Sequence, residues 1–65
     1  MNPAYYMSAR EINRVISAVN SGKTEEEADL KTEGELELYR RIQTEAQQLF
    51  QRNGNWPVFE LCELD

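Results

Sequence analysis

Three times this chain places a hydroxyl residue three positions before a glutamate: Ser8/Glu11, Thr24/Glu27 and Thr32/Glu35. In that spacing the hydroxyl accepts from the glutamate's backbone N–H, and the carboxylate reaches back to the N–H of the hydroxyl residue. Two donors that a helix's first turn would otherwise leave orphaned are then satisfied together. The sequence therefore marks helix starts more firmly than anything else, and the expected fold class is mainly α.

The neighbours of the first start reinforce it. Met7 and Ile12 occupy the two positions of a hydrophobic staple, and Ile12, Val15, Ile16 and Val19 recur at i, i+3, i+4 and i+7 as a narrow apolar stripe. Asn20-Ser21-Gly22 then supplies a stop. The second and third starts compete. A helix running unbroken from Thr24 would put Leu30 off the later apolar stripe and Gly34 in its interior, where it costs roughly 1 kcal/mol relative to Ala. Thr32 is the favoured start, leaving residues 25 to 30 as a loop or a short separate turn.

From Glu33 the pattern is strongly helical. Leu36, Leu38, Tyr39, Ile42, Ala46, Leu49 and Phe50 fall within an arc of about 160°, wide enough to face more than one neighbour. Glu37/Arg41 and Arg41/Glu45 are i, i+4 pairs on the opposite side, and Asn53-Gly54-Asn55 ends the helix. The expectation is a single domain, residues 1–65, built as a two-helix hairpin (about 9–21 and 33–53) with extended terminal segments. Pro57 suits a short helix or an edge strand, and Val58 and Phe59 favour strand, so the tail is expected to pair with residues 4 to 7 as a short two-stranded ribbon. Trp56, at the corner before Pro57, is expected to pack back on the long helix near Leu49 or Phe50.

Composition limits what such a fold can do. With 65 residues, one Cys and no His, the chain is close to the smallest core that offsets chain entropy, and neither a disulfide framework nor a Cys/His metal site is available to help. Self-association is therefore expected, as a homodimer with Tyr39, Ile42, Ala46 and Phe50 near the contact. Twelve acidic against seven basic residues give a net charge of −5, which repels phosphate backbones and anionic lipid surfaces, so neither nucleic acid nor membrane is an expected partner. The opening residues lack the basic and apolar regions of a signal peptide, and no apolar run approaches a membrane span. The cytoplasm is the expected location, and an unpaired Cys fits a reducing compartment.

Each chemistry-bearing motif has a plainer reading. Gly22-Lys23-Thr24 has the ending of a phosphate-binding loop, but Ser17 stands where the first Gly belongs and a helix precedes it rather than a strand. It reads as a helix stop followed by a loop. Glu25, Glu26, Glu27 and Asp29 lack the alternation of a calcium loop and suit a helix start. Cys62 reads as packing, because there is no His to act as its base. Arg10 and Arg14, one turn apart opposite the apolar stripe, form with Ser17 and Ser21 a polar face able to grip a phosphate or carboxylate. No enzyme, cofactor, metal or small-molecule substrate is expected.

The stretch Glu35-Leu36-Glu37-Leu38-Tyr39 through Leu49 resembles a segment of the Hha family, small proteins that modulate bacterial nucleoid factors. The family's His-Arg pair is absent, since the chain has no His, and no function is carried over. Large rings at both ends, Tyr5, Tyr6, Trp56 and Phe59, together with Tyr39 and Phe50, point instead to contact with proteins, where aromatic side chains concentrate. The expected function is that of a small acidic adaptor or regulatory protein acting by protein–protein interaction. The alternative is a nucleic-acid-linked regulator, either a transcription or nucleoid modulator using Arg10 and Arg14 or an acidic DNA mimic.

Overall fold

A computed structural model describes residues 7 to 63. It is mainly helical, with α1 at Ala9–Asn20, α2 at Glu25–Ala28 and α3 at Glu33–Asn53, and no strand among the described residues. All three capping boxes form. The competition between Thr24 and Thr32 is settled by using both: Thr24 starts a single turn, and Asp29 ends it in the left-handed region at φ 52° and ψ 52°. An aspartate tolerates that conformation better than most side chains. The chain is thereby redirected, and Thr32 opens α3.

The first box gives a direct test. Ser8 Oγ accepts from Glu11 N–H at 3.2 Å, and Glu11 Oε1 accepts from Ser8 N–H at 3.2 Å. Ser8→Ala is expected to lower stability by about 1 kcal/mol, read as a drop in melting temperature. An unmoved melting curve would refute this role for the cap.

α1 packs directly on α3. Val15, Ala18 and Val19 from α1 meet Leu38, Tyr39 and Ala46 from α3, and Ala28 of α2 completes the buried cluster. Met7, Ile12, Leu30, Ile42, Trp56 and Phe59 pack around it half-buried. Small residues at 18, 28 and 46 leave room for the backbones to approach, while the larger side chains supply the apolar area that holds them there.

One charged residue lies inside. Glu35, with no exposed surface, is the third residue of α3 and caps it from within: its Oε1 accepts from the N–H of Lys31 at 2.8 Å and of Thr32 at 3.2 Å. Its other oxygen faces α1 and takes a hydrogen bond from Arg14 Nη1 at 3.2 Å. The same carboxylate thus starts one helix and ties it to another.

Two expectations are corrected. Residues 56 to 63 are neither strand nor helix, and no ribbon is found among the described residues. The main chain of Phe59 and Cys62 is bonded to the side chains of Asn20 and Asn13 of α1 in place of a strand partner; residues 4 to 6 lie outside the described residues. The expected Glu37/Arg41 and Arg41/Glu45 pairs are not among the ion pairs of the described residues either. Arg40 instead reaches Glu25 of α2 at 2.8 Å, a contact that joins two elements where the intrahelical pairs would join none.

Candidate interaction surface

Asn13, Ile16 and Asn20 lie along one ridge of α1, at i, i+3 and i+7. Asn13 Nδ2 donates to the carbonyl of Cys62 at 2.9 Å, and its Oδ1 accepts from the N–H of the same residue at 2.6 Å. Asn20 repeats the arrangement on Phe59, donating at 3.0 Å and accepting at 2.9 Å. Each carboxamide therefore offers the donor and acceptor that a neighbouring strand's backbone would offer. The two spacings match: seven helical residues rise about 10.5 Å, and three extended residues span about 10 Å. The order of the contacts makes the segment run antiparallel to α1. Ile16, between the two asparagines, is only 7% exposed although it is not part of the α1–α3 cluster.

Trp56 begins this segment. Its indole Nε1 donates to the carbonyl of Val19 at 2.7 Å, a second donor to an acceptor in the last turn of α1 that also takes the Gly22 N–H, and its ring lies 6.1 Å from that of Phe50, tilted by 56°. The expected contact with α3 is present, and the bond to α1 makes Trp56 a bridge between the helices.

Holding the segment by its main chain leaves side chains free. Val58 is 79% exposed and Leu61 54%. Phe50, at 47%, flanks Trp56 where the segment begins. Glu60, Glu63 and the free thiol of Cys62 are also exposed, so Cys62 is not the packed residue expected from its apolar surroundings in the chain. Phe59 is half-buried against the core. Tyr5 and Tyr6 lie outside the described residues.

The remaining candidates are placed elsewhere. Tyr39 and Ala46 are 3% and 0% exposed inside the single chain, so neither is available at the surface as a dimer contact. Arg14 is held by Glu35 and Arg40 by Glu25, leaving Arg10 exposed on the polar face of α1. Gly22, at φ 72°, follows the end of α1, and Thr24 is occupied in capping α2, the helix stop and loop read from the sequence. The acidic run is engaged locally: Glu25 with Arg40, Glu27 with Thr24, Asp29 with Lys31. Those hydrogen bonds hold all three carboxyls below their ordinary range. No group of three or more metal-ligating side chains gathers among the described residues. An open cleft of about 390 Å³ runs between α2 and the start of α3, lined by Leu30 and Leu36 and by the polar Glu25, Glu26, Lys31, Thr32 and Glu33.

The buried Tyr39 hydroxyl donates to the Lys23 carbonyl. Burial pushes its phenol above the ordinary 10.0, and the nearby negative charges of Glu25 and Glu27 push the same way. A raised folded-state value means that this stability is complete below the unfolded value and is lost as pH rises through the folded one. An alkaline denaturation series is expected to show a loss above about pH 10 that Tyr39→Phe removes; a loss of equal size in the variant would count against it.

Sequence reasoning missed the asparagine pair, yet a signal was there. Asn is a poor helix former in an interior turn, and two of them stand on one flank of α1 around an isoleucine. Comparison with protein families, with curated protein sequences and with solved structures finds no match.

Proposed function

We propose that the protein is a small acidic adaptor or regulatory protein of the cytoplasm that works by protein–protein contact. Its frame is a helical hairpin of α1 and α3, and its contact surface is the segment from Trp56 to Glu63 lying on α1. The observation that carries this reading is that the segment is gripped through the main chain of Phe59 and Cys62, so that Val58 and Leu61 face outward. Glu60 and Glu63 alternate with them, which fits a partner having an apolar groove with a basic rim. The engagement of Arg14 and Arg40 by carboxylates gives less support to the nucleic-acid-linked alternative, and a mobility-shift assay at low salt separates the two.

Affinity capture from the native cytoplasm, comparing the wild type with a Val58→Asp/Leu61→Asp variant, tests the proposal. Both side chains are exposed, so the variant is expected to melt like the wild type and to lose its captured partner. An unchanged set of captured proteins would overturn the reading.

A further inference from the structure

We infer that the segment from Trp56 to Glu63 is held on α1 as a left-handed polyproline II helix, and that its partner is a protein with an aromatic-lined groove of the kind that receives such helices, flanked by basic side chains. This rests on the protein–protein reading above and names the class of partner for the same surface.

The hydrogen bonds set the period. Phe59 and Cys62, three positions apart, each turn both N–H and C=O toward the same ridge of α1. In a β-strand the main-chain groups of successive residues point to alternate sides, so residues three apart face opposite ways and one helix ridge would not bond both. A polyproline II helix has three residues per turn and returns position i+3 to the side of position i. Its rise over that interval is about 9 Å, against roughly 10.5 Å between Asn13 and Asn20 along α1. Such a helix makes no main-chain hydrogen bonds of its own, and among the described residues none runs within 56 to 63.

Side-chain burial has the same period. Trp56 and Phe59 pack against the core, whereas Val58 and Leu61 are exposed; a two-residue alternation would turn Leu61 inward with Phe59. Pro57 suits the conformation because its ring fixes φ at about −65°.

Three ridges result, and α1 covers the one that carries Trp56, Phe59 and Cys62. The second carries Val58 and Leu61, about 9 Å apart, and the third Pro57, Glu60 and Glu63. A helix of three-sided cross-section meets a shallow groove with two ridges and turns the third away. Here the third is the ridge already lying on α1. Docking fixes the conformation before any partner arrives, which lowers the ordering cost of binding. Glu60 and Glu63 call for basic residues along one side of the groove.

Two measurements on the intact protein test this. Three-bond couplings between amide and α protons report φ, and residues 58 to 62 are expected to show values for φ of about −75°, well below those of a β-strand. Strand-like couplings at Val58, Glu60 and Leu61 would overturn the conformation. For the partner, purified SH3 and WW domains, whose grooves are aromatic-lined, serve as probes in a titration of the isotope-labelled protein. Domains with basic residues beside the groove are expected to bind and to shift the amide signals of Val58 and Leu61. Val58→Asp and Leu61→Asp are each expected to weaken that binding at least about tenfold. Glu60→Lys/Glu63→Lys is expected to weaken it and to remove its salt dependence, with circular dichroism confirming that every variant keeps its helices. Binding by none of these domains, or binding that the four substitutions leave unchanged, would overturn the inference. Either result leaves capture from the native cytoplasm free to succeed, since a groove of another shape would also need Val58 and Leu61.

Discussion

Replacing Trp56 with alanine is expected to lower folding stability by about 3 kcal/mol, the lower end of what large-to-small changes of core aromatic residues cost, because the ring is half-buried. The ring packs against Phe50 of α3 and donates to the Val19 carbonyl of α1, so its loss opens space between the helices and removes one of the two hydrogen bonds to that carbonyl, which keeps only the Gly22 N–H. In a domain whose total stability is on the order of 5 to 10 kcal/mol, that is a large fraction. Trp56→Phe separates the two contributions: it keeps most of the apolar contact and removes the donor, and is expected to lose about 1 kcal/mol. Urea denaturation of the two variants measures both. Intrinsic fluorescence supplies a check on the wild type, where Trp56 is the only tryptophan; a strongly red-shifted, readily quenched emission would contradict the packed ring.

Glu35→Ala is the second large effect, again about 3 kcal/mol. It strips the acceptor from two backbone N–H groups at the start of α3, opens space in the core, and leaves Arg14 without its carboxylate. Magnitudes decide which of these dominates. The Arg14 side chain is 48% exposed, so water screens its attraction to Glu35, and pairs of that kind contribute up to about 1 kcal/mol. Arg14→Ala is therefore expected to lose only about 1 kcal/mol. A double-mutant cycle on the two positions measures their coupling directly. An Arg14 effect as large as that of Glu35 would show the ion pair, not the cap, to be the main contribution.

Most of the helical framework is legible in the sequence because its signals are local. Each capping box spans four residues, and the stops at Asn20-Ser21-Gly22 and Asn53-Gly54-Asn55 are short-range backbone preferences; the helices observed at Ala9–Asn20 and Glu33–Asn53 agree with them closely. Glu35 shows where local signals run out. Its spacing to Thr32 announces a cap, but nothing in the local pattern announces that the carboxylate also meets Arg14, twenty-one positions away. Tyr39 escapes the sequence for a related reason: periodicity puts it on an apolar arc without saying which part of the arc α1 covers. The grip on residues 59 and 62 is least visible of all, because an asparagine on a helix is ordinarily read as solvated, and its use of both amide atoms on a distant backbone leaves no periodic trace.

The asparagine ridge has a consequence for the chain as it is made. Synthesis runs from the amino end, so α1 is complete, with Asn13, Ile16 and Asn20 in place, well before the ribosome adds Phe59 and Cys62, the residues they hold. Until then the ridge has no occupant from its own chain. Closure of this surface is thus a late event in the making of the chain, following the completion of α1 rather than accompanying it.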